Sequence, residues 1–304
     1  MNRRSSGFAL ILVIWSLVLL ASVATGFAFA VRHEIRIAAD LTSAAQAEAA
    51  ATAALHTAVL EFSTPATEGR WLADGQPHAV PWQGAAVAVR ISLENGRIDI
   101  NRAPRELLAG LFTLLFPDGN PDALSDAVID WRDKDDQPGP AGAERESYSR
   151  AGYGYGPSNA AFDSVNELGR VMGFDSRMVD LARPYITVYS GRPKVHAASA
   201  DLLVLEAVPG IDQDAARAFV AQREYALDGD GKLDLTGLLK GGRYLDTGSR
   251  ISVLSVDIDV RLNDGWSRRE RAVIKLDRRN GYLLLARERI PTGGTLQALP
   301  DDNR

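Results

Sequence analysis

An acidic loop, DWRDKDDQPGPAGAERESYS at residues 130–149, carries the densest set of chemically active side chains in the 304-residue sequence. The Gln-Pro-Gly-Pro segment at 137–140 predicts a turn, which can fold the two acidic arms of the loop onto one point. Calcium prefers six to eight oxygen ligands at a flexible site, and carboxylates, amides and backbone carbonyls provide such ligands. The sequence therefore predicts a calcium site with ligands from Asp133, Asp135, Asp136 and Glu144, and with Glu146 nearby.

Two other interpretations of the acidic loop remain open, a solvated charged loop and a catalytic pair of carboxylates. The sequence holds no phosphate-binding glycine loop, serine nucleophile elbow or metalloprotease helix to accompany such a pair, so no enzymatic activity is predicted. A second fragment, at 228–234, looks like part of a calcium loop but lacks the third early acidic ligand and the distal glutamate of an EF-hand. It is either a metal site or a turn between helices.

The composition excludes several classes of protein. With 46% hydrophobic and 24% charged residues the chain is globular rather than disordered or collagen-like. Cysteine is absent, which removes disulfides, thiolate zinc sites and cysteine nucleophiles, and the four histidines lie far apart in sequence. The formal net charge of −5 argues against a general nucleic-acid binder.

Residues 197–219 resemble a helix-hairpin-helix unit, built around Val208-Pro209-Gly210-Ile211. DNA-binding versions have a second glycine after this segment, where backbone N–H groups approach a phosphate. Asp212 stands at that position and Asp214 is close by, so the local charge repels phosphate. Asp212 is more simply an N-cap of the next helix. The unit is predicted to be a packing module, with a DNA clamp as the alternative.

The N-terminus is predicted to cross a membrane. Residues 8–31, FALILVIWSLVLLASVATGFAFAV, carry no charge, and about 20 apolar residues suffice to span a bilayer. Arg3 and Arg4 precede the span, so the N-terminus is expected inside and the rest outside. A cleaved signal peptide and a plain anchor are alternatives. The short basic leader ending in Gly7 before Phe8 resembles instead a type IV prepilin leader, cut after the glycine by a membrane peptidase.

The span is predicted to continue as one helix over 8–62. Residues 32–62 contain no Gly or Pro and many Ala, and apolar residues recur at helical spacing. Long, half-buried N-terminal helices of this kind pack together in pilin-like subunits. Most pilins have Glu at the fifth mature position, whereas this chain has Leu12. A buried Glu needs a partner charge, and a leucine makes no such pairing, which suits the first subunit of a filament.

The remaining chain divides into two β regions around a helical insertion. A hairpin is predicted from 85–93, a turn at 94–96 and 97–100, after a loop-rich connection at 63–84. A three-stranded antiparallel meander is predicted over 251–290. A long helix on such a sheet is an α+β architecture. The insertion holds two tandem copies of one unit, in which 98–112, 124–135, 162–171 and 186–190 correspond to 194–208, 212–224, 233–242 and 251–255.

Together these motifs resemble the type II secretion minor pseudopilin K family over about residues 1–290. The resemblance is carried by the leader RRSSG before FALILVIW, the missing Glu at Leu12, and the stretches IDINRAPRELL, LSDAVIDWRDKDDQPGPAGAE, FDSVNELGRV and ITVYSGRPKVHAASADLLVLEAVPGI. It implies a pilin-like α+β fold with a large α-helical insertion of the SAM or helix-hairpin-helix type. The implied organisation is a leader at 1–7, a long helix at 8–62 with its transmembrane part at 8–31, a β region at 63–100 and 251–290, an insertion at 101–250 and a flexible tail at 291–304.

The resemblance also implies a function. Members of the family sit at the tip of the periplasmic pseudopilus of a type II protein secretion system, anchored in the bacterial inner membrane. The implied partners are minor pseudopilins I and J, the prepilin peptidase that cuts and methylates at Gly7 and Phe8, and the inner-membrane assembly platform. Calcium binding in the insertion maps onto the loop from Asp133 to Glu146, with Glu146 and Glu167 as outside candidates.

Two competing functions stay open on sequence alone. One is a membrane-anchored helix-hairpin-helix DNA-binding protein of the competence type, which predicts salt-dependent retention of DNA. The other is a periplasmic enzyme, which predicts loss of turnover without loss of folding when Asp133 or Asp136 is replaced. Under the pseudopilin hypothesis the bulky insertion occupies the place of a further subunit and Leu12 removes the bond to it, so the subunit starts and caps a filament.

Overall fold

The structure is a computed structural model that describes residues 6–63, 71–227, 233–248, 253–277 and 281–290. Helix α1 runs from Ser6 to Ser63 as 58 residues without a break, a length of about 87 Å at 1.5 Å per residue. The Ala-rich sequence explains this continuity, because residues 8–63 contain no proline and only one glycine, Gly26, and a single glycine costs a helix only about 1 kcal/mol.

The other elements follow α1 in runs of strands and runs of helices. In chain order they are β1 (Asp74–Val80), β2 (Ala85–Leu93), β3 (Ile98–Asp99), α2 (Arg105–Leu115), α3 (Pro121–Arg132), α4 (Arg145–Arg150), α5 (Ser176–Ala182), β4 (Ile186–Thr187), β5 (Val195–His196), α6 (Leu202–Glu206), α7 (Gln213–Leu227), β6 (Leu245–Asp246), β7 (Val253–Leu262), β8 (Ser267–Asp277) and β9 (Gly281–Arg289). Short 3₁₀ turns lie at Glu94–Gly96, Val165–Arg170, Ala197–Ser199 and Thr236–Gly241.

A five-stranded antiparallel sheet in the order β1-β2-β7-β8-β9 packs on the C-terminal half of α1. The predicted alternation in β7 places one side of that strand, including Val256, Ile258 and Val260, in the core. From α1 the core takes a stripe of small and apolar residues, Ala47, Ala50, Ala51, Ala54, Leu55, Ala58 and Phe62. The α+β class and the helix-on-sheet packing are confirmed, and the predicted meander is present as β7, β8 and β9.

Strand β1 is absent from the sequence prediction, which assigned its residues to a loop-rich connection. Gly75 and Pro77 gave the loop signal. Because β1 is an edge strand with a register shift between Asp74 and Pro77, a proline that cannot donate to the ladder is tolerated there.

The predicted hairpin over 85–100 is wrong. Residues 94–96 form a 3₁₀ turn that leads the chain out of the sheet, and β3 pairs in parallel with β4 instead. The backbone N–H of Ile98 donates to the Tyr185 carbonyl at 2.9 Å. Ile98 and Ile100 are fully buried in the core of the insertion, so burial there outweighs pairing with β2.

The insertion has a core of its own, and its two repeats are visible in the pairing of short strands. In the first repeat β3 pairs with β4, and in the second β5 pairs with β6, both in parallel. Helix α2 of the first repeat meets the end of α6 of the second at Gly110, where an added Cβ would lie 2.0 Å from the Ala207 carbonyl oxygen. The equivalence of 186–190 with 251–255 is wrong, because β6 takes the place of β4 in the second copy.

Candidate functional site

The N-terminal half of α1 is a bare apolar surface. Large hydrophobic side chains are exposed along it: Leu10, Ile11, Leu12, Val13, Ile14, Trp15, Leu17, Val18, Leu19, Leu20, Val23, Phe27, Phe29, Ile35, Ile37 and Leu41. The helix is long and apolar enough to cross a membrane. It fits a single-pass membrane anchor, and its exposed stripe must be covered by lipid or by other helices.

Leu12 lies within this bare surface. Its side chain is 53% exposed, and its carbonyl accepts the Ser16 hydroxyl at 2.8 Å. Gly7 and Phe8, the predicted cleavage and methylation positions, lie in the first turn of α1, which begins at Ser6, two residues before the predicted start at Phe8. The remainder of the predicted leader, at 1–5, lies outside the described residues.

The acidic loop is tethered by two carboxylates of α3 that the sequence prediction did not include. Asp130 accepts the backbone N–H of Gly139 at 3.1 Å and that of Ala143 at 2.8 Å. Asp126 accepts the Ala141 N–H at 3.0 Å and also binds the Arg105 guanidinium. Both carboxylates are 2% exposed. Their separation of four residues, which places two acids on one helix face, was the signal available in the sequence.

Gly142 is required by this tether. A Cβ at Gly142 would lie 1.9 Å from the Oδ2 atom of Asp130, well inside van der Waals contact. The glycine therefore lets the loop backbone approach the α3 carboxylate closely enough for the neighbouring N–H groups to bond to it.

An aromatic wall fixes the other side of the loop. Trp131 and Tyr148 are buried and pack with Tyr155 and Phe162. Asn101 holds Phe162 by donating to its carbonyl at 3.0 Å and accepting its N–H at 2.7 Å. This packing brings residues 151–162 against the acidic loop.

Residues 151–162 place the Asn159 side chain beside the acidic loop. Its side-chain N–H₂ donates to the Asp136 carboxylate at 3.2 Å, and its backbone φ of +50° is the only positive φ of a non-glycine residue in the described part of the chain. A left-handed backbone at a non-glycine residue is strained and persists where the surroundings demand it.

The loop interior holds carboxylate oxygens that lack partners. Both Oε atoms of Glu144, the Oδ1 atom of Asp133 and the Oδ1 atom of Asn159 are buried without a hydrogen bond. Glu144 is 5% exposed. Unpaired buried acceptors are costly and rare in native proteins, so this group calls for a donor or a cation.

The electrostatics agree with the geometry. Burial raises the pKa of Glu144 to about 7, and the nearby carboxylates of Asp130, Asp133 and Asp136 add to the rise. Burial also raises the pKa of Asp133, with a further contribution from Asp135. Buried like charges of this kind are stabilised when a cation neutralises them.

The structure brings only some of the predicted ligands together. Asp133 and Glu144 carry the buried unpaired oxygens, whereas Asp135 and Asp136 are exposed. Asp136 accepts the Asn159 amide N–H, and Asp135 accepts the Gln137 N–H at 2.9 Å. Glu146 pairs with Arg150 at 2.8 Å in solvent, and Glu167 accepts the Asp163 N–H, so neither outside candidate joins the cluster.

The oxygen donors fit a hard cation such as calcium. No three His, Cys, Asp or Glu side chains are arranged around one point among the described residues. Backbone carbonyls, the Asn159 amide and solvent would therefore complete a coordination shell, which is common for calcium. The second predicted loop, at 228–234, lies outside the described residues except for its last two positions.

The helix-hairpin-helix segment is used for packing. Gly210 has a φ of +87° and sits so close to Lys240 that a Cβ would lie 3.2 Å from its carbonyl oxygen. The Asp212 carboxylate accepts the Asp214 N–H at 2.9 Å at the start of α7. At the positions that would face a phosphate, the Lys240 backbone packs against Gly210 and the Asp212 carboxylate carries a negative charge.

The fold is that of a long N-terminal helix on an antiparallel sheet, enlarged by a helical insertion. The sequence model of the family described as "Type II secretion system (T2SS), protein K" matches residues 90–191. That segment includes β3 to β4 and the whole acidic loop. Over this third of the chain the sequence is therefore similar to protein K of type II secretion.

A solved structure shares this fold. The chain is similar to a chain in the crystal structure of the GspK-GspI-GspJ complex from the enterotoxigenic Escherichia coli type 2 secretion system, with a TM-score of 0.58 and 16% sequence identity. The similarity covers 85% of this chain and 98% of the other. No curated protein sequence matches the chain.

Replacing Gly142 with alanine should lower the free energy of unfolding by about 1–3 kcal/mol, because the new methyl group overlaps the Asp130 carboxylate and pushes the loop off its tether. Gly154→Ala is the matched control, since no atom lies within 4 Å of a Cβ at that position. Thermal unfolding of the full chain in detergent, followed by near-ultraviolet circular dichroism, measures the difference. Equal stability of the two variants would contradict the assigned role of Gly142.

Proposed function

We propose that this chain is a K-family minor pseudopilin that occupies the tip of a periplasmic pseudopilus, where it starts the filament and prevents extension beyond itself. The observation that carries the proposal is the division of α1 into a buried half and a bare apolar half. A chain of this shape needs other helices beside it once it leaves the lipid. Its enlarged head, which carries a second core of its own, blocks the place where a further pilin-type subunit would stack.

The leucine at position 12 also supports a place at the tip of the filament. Within the described span, from Leu10 to Val31, no residue is charged. A buried carboxylate in a filament needs a partner charge from a neighbour. A subunit with leucine there can be contacted by the helices below it but makes no such bond to a subunit above.

The proposed partners are minor pseudopilins I and J, because the solved structure similar to this chain is of a complex of K, I and J subunits. Prepilin peptidase would cut after Gly7 and methylate Phe8, and the inner-membrane assembly platform would receive the processed subunit. The proposed orientation has the N-terminus in the cytoplasm and the head in the periplasm, since Arg3 and Arg4 precede the span. The proposed role is structural, without a reaction of its own.

Mass spectrometry of the mature chain tests the pathway. We expect the N-terminus to be a methylated Phe8 in cells that contain the peptidase, and an intact Met1 when the peptidase is removed. A mature chain that begins at Val31 would point to an ordinary signal peptide, and an uncut chain in the presence of the peptidase would point to a plain anchor. Either result would contradict the proposal.

Replacing Leu12 with glutamate should let the subunit enter the filament shaft, because the new carboxylate can pair with the N-terminal amine of a neighbour. The measurement is the number of copies per purified pseudopilus, which should rise from about one, the expectation for a tip, to several. Val13→Glu is the control, since it introduces the same charge on an adjacent helix face. If the copy number stays unchanged in the Leu12 variant, the argument from Leu12 is wrong.

We also propose that calcium binds in the acidic loop, drawing its ligands from Asp133, Asp136 and Glu144, the Asn159 amide, backbone carbonyls and solvent. The support is the set of buried unpaired oxygens and the raised pKa of Glu144. A bound cation would neutralise the cluster and hold the two arms of the loop together. With no cysteine in the chain, this replaces the cross-link that a disulfide would supply.

The calcium proposal predicts a pH dependence of stability in a chelator. The folded chain keeps a proton on Glu144 up to a pKa of about 7, whereas the unfolded chain releases it near 4.5. The unfolding free energy should therefore fall as the pH rises from about 4.5 through about 7. Calcium at pH 8 should reverse the loss, by about 2.7 kcal/mol at one hundred times its dissociation constant.

Glu144→Gln should remove both effects, since it lacks the titration and the charge that binds calcium. It should be more stable than the wild type in chelator at pH 8 and should not respond to calcium. Glu146→Gln is the control, because that exposed side chain pairs with Arg150 outside the cluster. Thermal unfolding across pH measures all three chains. If Glu144→Gln still responds to calcium, calcium binds at a site other than the acidic loop around Glu144.

A further inference from the structure

The sheet and the insertion have separate hydrophobic cores, and the chain passes from one to the other through the turn at 94–96. Leu93 of β2 belongs to the core under the sheet, and Ile98 belongs to the core of the insertion. The chain returns to the sheet between Leu245 and Leu254, a stretch that lies partly outside the described residues. In the described part of the chain no buried residue belongs to both cores. Contacts other than a shared core must therefore set the angle between the insertion and the sheet.

An open cleft of about 470 Å³ lies between the insertion and the sheet. The insertion contributes Asn166 and Asp180 to its lining, and the sheet contributes Arg271 and Glu288. Most of the residues that line the cleft are charged or polar. Two domains are expected to move relative to each other unless a large hydrophobic interface holds them. This part of the boundary therefore does not fix the insertion in place.

The Glu94 carboxylate connects the two sides with a different oxygen for each. Its Oε1 atom accepts the Ser255 hydroxyl of β7, and its Oε2 atom accepts the Thr187 hydroxyl of β4 in the insertion. Arg97 neutralises the carboxylate at 2.7 Å. Glu94, Thr187 and Ser255 are all buried, so water does not compete for these hydrogen bonds. Hydrogen bonds to a charged acceptor are about twice as strong as those between neutral groups.

The second repeat of the insertion packs on the same turn. A Cβ at Gly96 would lie 2.4 Å from the Ser199 carbonyl oxygen, so only glycine permits this approach. The Ser199 hydroxyl in turn lies 3.0 Å from the Nδ1 atom of His196 on β5. The turn at 94–96 therefore contacts the sheet through Ser255, the first repeat through Thr187 and the second repeat through Ser199.

We propose that Glu94, Thr187 and Ser255 form a latch that holds the sheet and the insertion together as one rigid body. With the latch closed, a movement of α1 carries the insertion along at a fixed angle. With the latch open, the insertion pivots about the two places where the chain crosses between the cores, and the cleft gives it room. The inference concerns the head alone and goes beyond the proposed function, on which it does not rest.

The distance between two spin labels, measured by pulsed electron paramagnetic resonance on the full chain in detergent, tests the latch. Because the sequence has no cysteine, introduced cysteines are the only labelled positions. Thr113→Cys on α2 and Lys275→Cys on β8 place exposed labels on the two bodies. We expect one narrow distance distribution in the otherwise wild-type chain. Glu94→Gln, which keeps the size of the side chain and removes its charge, should make the distribution at least twofold wider.

Glu288→Gln is the matched control, because it makes the same chemical change at an exposed residue of the cleft. It should leave the distribution at its original width. A second label pair within the insertion, Thr113→Cys with Arg177→Cys, should stay narrow in every variant and shows that the insertion remains folded. A wide distribution between the bodies without Glu94→Gln, or equal widths for Glu94→Gln and Glu288→Gln, would overturn the latch.

Thr187→Val and Ser255→Ala keep the test decisive if Glu94→Gln does not fold. Each variant removes one hydroxyl and leaves Glu94 paired with Arg97. Because the two hydrogen bonds act in series, loss of either one should widen the distribution at least twofold, and the double variant should widen it no further. Such non-additivity is expected of residues in one hydrogen-bond network. Unchanged width in both single variants, or widths that add in the double variant, would contradict the proposal.

Discussion

The packing of an alanine-rich helix stripe on one side of an antiparallel sheet is the interaction on which the rest of the structure depends. From Ala47 to Phe62 the buried face of α1 is made mostly of small residues, which lets the helix lie close to β7 and β2. An ion-pair network fixes its position. Arg268 bridges Glu48 of α1 and Glu270 of β8, each at 2.7 Å, and Arg287 of β9 binds the same Glu270. Buried charges of this kind contribute more to a unique register than to stability.

The insertion is attached to the sheet through one buried carboxylate. Glu94, 1% exposed, lies in the 3₁₀ turn where the chain leaves β2. It accepts the hydroxyls of Thr187 from the insertion and Ser255 from β7, and it pairs with Arg97 at 2.7 Å. One side chain therefore connects both cores.

How much of this could be predicted depends on how local the determining forces are. The long helix, the alternation of β7 and the three-stranded meander follow from periodicity within each segment, and these were predicted. β1 was missed because a proline masks an edge strand, and the hairpin after β2 was wrong because a distant partner, β4, outcompetes the adjacent strand. Neither effect is visible in a window of ten residues.

The acidic loop shows the same division. Composition alone predicts Asp133, Asp135, Asp136 and Glu144 as ligands, since carboxylates near a Pro/Gly turn are a local signal, and this ligand set stays a prediction. Asp126 and Asp130 were missed because their role is to bind backbone N–H groups of a loop that folds back over them. Asn159 lies 23 residues from Asp136 in sequence, so only the tertiary structure brings the two together.

The boundary at Ala47 also has a consequence for the order of events in assembly. Neither core of the head uses a described residue before Ala47. The head can therefore reach its final structure while the N-terminal half of α1 still lies in lipid. Under the proposed function, moving the subunit from the membrane into a filament exchanges lipid for protein around a rigid helix and leaves the folded head unchanged. The energetic cost of extraction is then confined to one helical surface, and whatever pulls the subunit out does not have to unfold it.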